Sequence, residues 1–335
     1  MMYQQPLHLT PIENKRYLIT GGAGFIGSNI TEYLLQHGAK VRVLDNLATG
    51  KLENLKEFQT HPDFEFQEGD LRNVKDCVKA CKDIDAVCHQ AAIGSVPRSI
   101  KDPITTNDVN ISGFVNILTS SKDAGIKRFV YASSSSVYGD EPNLPKKEDR
   151  IGNPLSPYAV TKYTNEVYAS VFARCYPLEL IGLRYFNVFG PKQDPYGEYA
   201  AVMPLFIKGL LEEVAPFING DGEQTRDFTF VHNAVMANIL ALSTSNLEAY
   251  NQCYNVAFGE RFSINQMYDA IRNYLKSDLK AIHRAPRVGD IRDSLADISK
   301  ARQLLNYNPE YSFEKALPLT IEYFKTIFGK KLVYS

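Results

Sequence analysis

The chain has 335 residues, with 37 basic and 38 acidic side chains and a formal net charge of −1. An apolar fraction of 44% with so little net charge is typical of a soluble globular protein and excludes a strongly basic surface for nucleic acid or anionic membranes. No apolar run reaches the length of a membrane span and residues 1–14 lack a secretory signal, so the expected location is cytoplasmic.

Strand and helix patterns alternate through the first half of the chain. Apolar runs predict strands at 15–20, 40–45, 64–67, 86–89, 128–132 and 178–184, and helical periodicity predicts helices at 25–37, 74–82, 109–124 and 157–175. This alternation predicts an α/β fold, a doubly wound parallel sheet of the Rossmann type with helices on both faces.

The rhythm changes after Asn187, where Pro and Gly become frequent and only short segments are predicted. We expect a smaller C-terminal lobe that closes over the carboxyl edge of the sheet, where ligands bind in such folds. The expected division is a dinucleotide-binding domain at 1–186 and a mainly substrate-binding lobe at 187–335, with a partial return to the first domain around 228–257.

Cysteine usage gives no sign of a metal site. The five cysteines are odd in number, and Cys77 and Cys81 have no second ligand pair at metal spacing. We interpret all five as reduced structural thiols and predict no metal.

A glycine-rich loop, Gly21–Gly27, lies between the first strand and its helix. Small residues there let the backbone approach a pyrophosphate, which binds to exposed amides at a helix N-terminus. Asp45 ends the second strand at about the 20-residue offset where a carboxylate reaches the adenosine ribose. Because that carboxylate accepts from the 2′-hydroxyl and repels a 2′-phosphate, NAD is favoured over NADP. The alternative, a tight turn followed by a chance surface aspartate, is disfavoured by this context.

Tyr158 and Lys162 are four residues apart on a predicted helix, which places the phenol and the ammonium on one face. A neighbouring cation stabilises a phenolate and lowers the tyrosine pKa, so that the pair can take a proton from a hydroxyl group. This spacing is common by chance, and the alternative is an exposed tyrosine over a solvated lysine. The serine run at 133–136, directly after the fifth strand, favours the catalytic interpretation.

The motifs GGAGFIG, LDN, GDL, the serines before VYGD, SPYAVTK and RYFNVFGP follow one another along the first 191 residues, and the resemblance that they carry covers nearly the whole chain. This combination resembles the extended short-chain dehydrogenase/reductase family, and more narrowly its nucleotide-sugar 4-epimerases. The resemblance implies that Tyr158 is the acid and base, that Ser134 hydrogen-bonds the sugar 4-hydroxyl, and that Lys162 binds the nicotinamide ribose and tunes Tyr158. A homodimer through the two long helices is also a family expectation.

The resemblance implies two sets of binding residues. The NAD contacts would be Gly21, Gly24, Phe25, Ile26, Gly27, Asp45, Asn46, Thr49, Gly50, Asp70, Leu71, Gln90, Ala91, Ala92, Asn110, Tyr158, Lys162 and Tyr185. The UDP-sugar contacts would be Gly94, Ser95, Ser133, Ser134, Ser135, Tyr158, Asn187, Ala201, Val202, Ile218, Asn219, Arg226, Arg261, Arg287, Asp290 and Ser294. The arginines suit the diphosphate, because guanidinium groups bind phosphate oxygens in pairs.

The type of reaction is suggested by a missing acid. Sugar dehydratases and decarboxylases of this family usually carry an acidic residue in or just after the serine segment, but none precedes Asp140 here. A 4-keto sugar formed by oxidation would then take the hydride back, and return to its other face would invert C4. The chain is therefore predicted to be an epimerase, with a dehydratase or decarboxylase disfavoured and a catalytically inactive cofactor-binding scaffold as the alternative from another class.

Small residues suggest the sugar. Ser294 and Ala201 match positions where epimerases restricted to plain hexoses often carry a tyrosine and an asparagine, and Gly94 and Ser95 resemble the loop of N-acetylhexosamine epimerases, which together leaves room for an acetamido group. The preferred substrates are UDP-N-acetylglucosamine and UDP-N-acetylgalactosamine, with the matching uronic acids as further candidates. A UDP-glucose/UDP-galactose 4-epimerase of relaxed specificity, or packing roles for Ser294 and Ala201, remain the alternatives.

Overall fold

The computed structural model describes residues 2–197, 200–286 and 292–332, with side chains up to Phe328. The strands are β1 (Arg16–Thr20), β2 (Lys40–Asp45), β3 (Phe64–Glu68), β4 (Ala86–His89), β5 (Arg128–Ser134), β6 (Glu179–Tyr185), β7 (Val188–Phe189), β8 (Phe217–Asn219), β9 (Thr225–Arg226), β10 (Thr229–Phe230), β11 (Gln252–Val256), β12 (Phe262–Ser263) and β13 (Ile282–Arg284). The helices are α1 (Phe25–Gln36), α2 (Val74–Ala80), α3 (Val96–Lys101), α4 (Pro103–Asn107), α5 (Gly113–Asp123), α6 (Pro157–Cys175), α7 (Val202–Leu211), α8 (Val231–Ser243), α9 (Ile264–Leu275), α10 (Ser299–Leu305) and α11 (Phe313–Leu332).

Within the described residues, one parallel sheet has the strand order β11-β6-β5-β4-β1-β2-β3. The predicted doubly wound fold is thereby confirmed. The order reverses between β1 and β4, which is where such sheets open a crevice for a dinucleotide.

The sheet separates two hydrophobic cores. Ile19 and its neighbour Leu18 are both fully buried but lie in different cores, because successive side chains of a strand point to opposite faces. Helices α1 and α8 cover the face of Ile19, and α5 covers the face of Leu18.

A second lobe has its own core between α7, α9 and α11, centred on Phe206, Met267 and Phe324. The expectation of only short segments after Asn187 is therefore wrong. Helix α9 shows why it forms: Ser263 and Gln266 make a reciprocal capping box, and Ile264, Met267, Tyr268 and Ile271 follow at helical spacing and are buried.

The chain returns to the large sheet through α8 and β11. Every residue of α8 is buried, and β11 pairs in parallel with β6 to extend the sheet by a strand that the sequence analysis did not locate. These elements bring Asn238 and Asn255 beneath the carboxyl half of the sheet, where both are fully buried.

An N-terminal arm, residues 2–12, packs on α1 and α8. The Tyr3 hydroxyl donates to Asn29 Oδ1 at 2.9 Å, and the Leu9 amide donates to Ser243 Oγ at 3.0 Å. Across the described residues, we find no helix that combines the length and the apolar character needed to span a membrane.

Candidate active site

The glycine-rich loop runs from β1 into α1 and leaves no room for side chains. A Cβ on Gly27 would lie 2.4 Å from the Gly21 carbonyl oxygen, and a Cβ on Gly21 would lie 2.6 Å from the Ala91 backbone. Gly21 also has a φ of +67°, a conformation that favours glycine. The N-terminus of α1 at Gly24 has no side-chain cap, so its amides face the position that a pyrophosphate takes in this motif. These features fit NAD.

Asp45 lies at the carboxyl end of β2, beside this loop, and is buried. Its carboxylate accepts from the amides of Ala23 at 3.0 Å and Leu47 at 2.8 Å. Burial raises the pKa of Asp45, and the two amides oppose that rise. Both carboxylate oxygens are therefore held in a fixed orientation at the edge where the adenosine ribose is expected. Gly50 is packed against this group, since its Cβ would lie 2.9 Å from Asp45 Oδ2.

The predicted adenine side is a polar cluster at the ends of β2 and β3. Asn46 donates to Asp70 Oδ2 at 2.9 Å, and Arg72 forms an ion pair with the same carboxylate at 2.7 Å. Arg72 holds the pKa of Asp70 well below its usual range. Thr49 is exposed nearby in sequence, and Leu71 is buried.

Gln90 and Tyr185 are joined to each other rather than left open. The Tyr185 hydroxyl donates to Gln90 Oε1 at 3.0 Å, and Gln90 Nε2 donates to Asn238 Oδ1 at 3.0 Å. This network links the ends of β4 and β6 to α8. Any contact of these two side chains with NAD would have to share the polar atoms with the network.

Asn110 is 1% exposed and holds a loop in place. It accepts from the Ile93 amide at 2.8 Å, donates to the Ile93 carbonyl at 3.1 Å, and donates to Thr161 Oγ1 of α6 at 3.1 Å. Residues 108–112 form a π-helical turn between α4 and α5, so the single helix predicted at 109–124 is interrupted at its start. The bulge turns Asn110 inward, as π-bulges at functional sites often do.

The three residues of the predicted catalytic set lie together at the carboxyl ends of β5 and in α6. Tyr158 is half-buried and lies close to Ser134. Burial raises the pKa of Tyr158, and the Ser134 hydroxyl beside it opposes that rise. Lys162 is 2% exposed, its Nζ donates to the Ala132 carbonyl at 2.8 Å, and it lies 6.0 Å from the centre of the Tyr158 ring.

The charge state of Lys162 is finely balanced. Burial lowers its pKa to about 8, and the Glu166 carboxylate, one helical turn further along α6, acts in the opposite direction. His89 also lies near, but burial lowers the His89 pKa to about 3 and keeps that ring neutral. A cation is thus available beside Tyr158 near neutral pH, which is what a tyrosine base requires.

The side chain of Ser133 lies on the opposite face of β5 from that of Ser134, because successive residues of a strand point to opposite faces of the sheet. Its side chain is 2% exposed, and its hydroxyl donates to Glu166 Oε1 at 2.5 Å. The Ser133 hydroxyl is therefore occupied inside the protein, in contrast to the substrate contact expected from the serine run. Ser135 is half-buried and follows Ser134 in a 3₁₀ turn.

A cavity of about 550 Å³ opens from Tyr158 between the two lobes. Part of its wall is formed by Gly94 and Ser95, and another part by Ala200, Ala201 and Val202. A Cβ on Gly94 would meet no atom within 4 Å, so this wall has space to spare. Ser95 has a φ of +145°, a strained backbone of the kind that concentrates at functional sites.

The cavity lining also includes the predicted nucleotide and diphosphate residues Asn187, Ile218, Asn219 and Arg226. Arg226 donates to the carbonyls of Thr225 and Arg292. Arg261 is exposed and does not line the cavity, and neither does Ser294, which is 8% exposed with its amide bonded to Thr225. Arg287 and Asp290 lie outside the described residues.

Gln193 lines the cavity and was missed by the sequence analysis. Its Nε2 donates to the Val188 carbonyl at 3.1 Å, whereas its Oε1 is buried without a hydrogen-bond partner. A glutamine in a Pro- and Gly-rich loop carries no pattern that reveals such a position.

A family model described as "NAD dependent epimerase/dehydratase family" matches residues 17–257 of this chain. The chain belongs to this family. The epimerase is 38% identical over 311 residues to a putative UDP-glucose 4-epimerase of Methanocaldococcus jannaschii, with 92% of this chain and 98% of the relative covered. It is 36% identical to a UDP-glucuronate 4-epimerase of Thermodesulfobacterium geofontis, with 92% and 96% covered.

A solved structure gives the same result. The epimerase superposes with a TM-score of 0.89 and 40% identity on a UDP-N-acetylglucosamine 4-epimerase from Methanobrevibacter ruminantium M1 in complex with UDP-N-acetylmuramic acid, with 94% and 99% of the two chains covered. The resemblance indicated by the motifs is confirmed. NAD as the cofactor is confirmed, and so is the enzyme class, an isomerase that epimerises nucleotide sugars.

Proposed function

We propose that this UDP-sugar 4-epimerase interconverts UDP-N-acetylglucosamine and UDP-N-acetylgalactosamine. NAD, when bound, supplies the chemistry of taking the hydride from C4 of the sugar and returning it. Tyr158 accepts the proton of the 4-hydroxyl as the hydride leaves and gives it back to the 4-oxygen on return. Proton and hydride are both restored, so the reaction is neutral in protons and electrons.

The other two residues of the set support this step from fixed positions. Ser134 lies beside Tyr158 at the end of β5, where it can reach the same sugar oxygen. Lys162 is held by the Ala132 carbonyl, so its charge is directed at the phenol without a mobile side chain. General acid–base catalysis of this type contributes about 100- to 10,000-fold.

The observation that carries the choice of sugar is the set of small residues that line the cavity together with Tyr158. Gly94, Ser95, Ala200 and Ala201 all belong to it, and at Gly94 there is free space of more than a methyl group. A 2-acetamido group needs such space, whereas a plain 2-hydroxyl does not. Arg226 and Asn187, which also line the cavity, suit the diphosphate because they carry N–H donors.

The same cavity admits the smaller UDP-glucose and UDP-galactose, which makes a UDP-glucose 4-epimerase the second candidate function. The putative UDP-glucose 4-epimerase of Methanocaldococcus jannaschii supports this candidate. The two are separated by kcat/KM for UDP-N-acetylglucosamine, UDP-glucose and UDP-glucuronic acid, measured on NAD-loaded enzyme. The proposal expects the N-acetylated sugar to be at least as good a substrate as UDP-glucose. A preference for UDP-glucose or UDP-glucuronic acid of tenfold or more would contradict it.

We also infer a homodimer. Helix α6 exposes Val160, Tyr163, Val167 and Val171 in one stripe, and Ile104 of α4 is 74% exposed. Exposed apolar side chains at helical spacing are typical of an interface. Light scattering on the enzyme and on a Val167→Asp variant tests this, with a monomeric wild type as the contradicting result. The cytoplasmic location stays a prediction.

A further inference from the structure

A buried cluster beneath the site joins three elements at Glu166. Its carboxylate accepts hydrogen bonds from Nε and Nη2 of Arg184 at 2.9 and 2.7 Å and from the Ser133 hydroxyl at 2.5 Å. Glu166 belongs to α6, Ser133 to β5 and Arg184 to β6. The side chains of Glu166 and Arg184 are only 7% and 3% exposed, so water does not compete for these bonds.

Each member of the cluster is close in sequence to a residue of the proposed catalytic set. Ser133 precedes Ser134, and Glu166 lies one helical turn beyond Lys162 and two beyond Tyr158. The hydrogen bond from Ser133 to Glu166 therefore fixes the end of β5 against α6 at the place where Ser134 meets Tyr158.

We propose that Glu166 is a positioning residue for the epimerisation, which sets the geometry of Ser134 and Tyr158 through Ser133 and is itself held by Arg184. This inference rests on the proposed role of Tyr158. Bidentate arginine–carboxylate pairs fix orientation as well as charge, so the pair suits a part that must hold reacting groups within a fraction of an ångström.

The charge of Glu166 has a second effect, on Lys162. The buried titratable groups beside the cluster are Tyr131, Tyr138 and Cys253, whose pKa values are raised by burial, so that all three are uncharged near neutral pH. Further out, Glu148 and Lys300 interact with Arg184. The His89 ring near Lys162 is neutral as well, because burial lowers its pKa, so the charge that acts on Lys162 is that of Glu166, which raises the pKa of Lys162.

The test uses two variants and a matched control. Ser133→Ala removes the bond between β5 and α6 but keeps the ion pair. Glu166→Gln removes the charge. The control is Glu179→Gln. Glu179 pairs with Arg128 at 2.8 Å on the same two strands, but at their amino ends, away from the catalytic residues.

Ser133→Ala is expected to lower kcat roughly 10- to 100-fold with little change in KM, as a small misplacement of reacting groups does. Glu166→Gln is expected to lower kcat and to move the alkaline limb of its pH profile to lower pH, because Lys162 then loses its proton more easily. The Glu179→Gln control should retain wild-type kcat and pH profile.

A Ser133→Ala enzyme with the kcat of the control would overturn the proposal, and so would a Glu166→Gln profile that is lowered without being moved. If Glu166→Gln does not fold, Ser133→Ala decides alone. Tyr158→Phe in the same assay keeps the two hypotheses apart, since an active Tyr158→Phe enzyme refutes the catalytic set itself.

Discussion

Asn110 Nδ2 donates to Thr161 Oγ1 across 3.1 Å and thereby connects the wall of the sugar cavity to the helix of Tyr158. The same side chain makes two hydrogen bonds to Ile93, which directly precedes the Gly94–Ser95 wall. The resemblance had suggested Asn110 as an NAD contact. Its three bonds are instead made within the protein, and they tie the sugar wall to α6.

Asn110→Ala should therefore weaken UDP-sugar binding more than NAD binding. The change leaves the Ile93 amide and carbonyl without their partner, which costs about 1–3 kcal/mol per buried group, and it frees the loop before Gly94. We expect KM for the UDP-sugar to rise about tenfold or more and thermal stability to fall. Asn116→Ala is the matched control, since Asn116 lies on the following turns and bonds to the Leu71 carbonyl instead. Equal effects of the two substitutions on KM would contradict this assignment.

Tyr158→Phe should abolish most turnover and leave substrate binding nearly intact. The hydroxyl transfers a proton, a contribution of about 100- to 10,000-fold, while the ring keeps its packing. Steady-state kcat and calorimetric binding of UDP separate the two effects. Near-normal kcat would show that another group is the base.

Ala201→Tyr should narrow the substrate range. Ala201 is exposed on the cavity wall at the start of α7, so a larger side chain enters the cavity without disturbing a core. We expect kcat/KM for UDP-N-acetylglucosamine to fall roughly 10- to 200-fold relative to that for UDP-glucose. Ser294→Tyr is the comparison: Ser294 is buried off the cavity, so its substitution should cost about 1–3 kcal/mol of stability and alter both substrates alike. Selectivity changed by Ser294→Tyr alone would reverse the assignment.

Lys162 should leave a mark on the pH dependence of stability. Its folded pKa, about 8, is below the unfolded value of about 10.4, so between these values the folded protein has released a proton that the unfolded chain still holds. The free energy of unfolding therefore rises with pH across this window, by at most about 1.4 kcal/mol per pH unit, and the gain is lost as pH falls to about 8. Urea unfolding at several pH values should show this slope in the wild type and not in Lys162→Met. Parallel curves for the two proteins would refute it.

The sequence predicted best those elements whose pattern is local. Helix α6 begins and ends at the predicted residues. Its start is marked in the sequence because Pro157 follows the capping Ser156, whose side chain accepts from the Ala159 amide. Strands β2 and β4 also have the predicted bounds. The glycine loop could be predicted because its close backbone packing requires residues without side chains, and glycines are identified directly in the sequence.

What escaped prediction depends on tertiary contacts. Helix α8 is buried on every side, so it has no polar face and no amphipathic period, and four of its buried residues, His232, Asn233, Asn238 and Ser243, are polar. Ser133 and Ser134 look alike in sequence and differ only in the face of β5 that each occupies. Gln193 enters the cavity through a loop whose path is set by contacts such as the Lys192–Glu32 ion pair at 2.8 Å.

The N-terminal arm imposes an order on folding during synthesis. Leu9 and Thr10 both bond to Ser243, so they find this partner only after α8 has been translated. Until α8 has emerged, the arm can contact only α1, through bonds such as that of Tyr3 to Asn29, and it lacks its second partner. Nascent chains stalled before Val231 should therefore expose residues 2–12 to a protease that the finished enzyme resists.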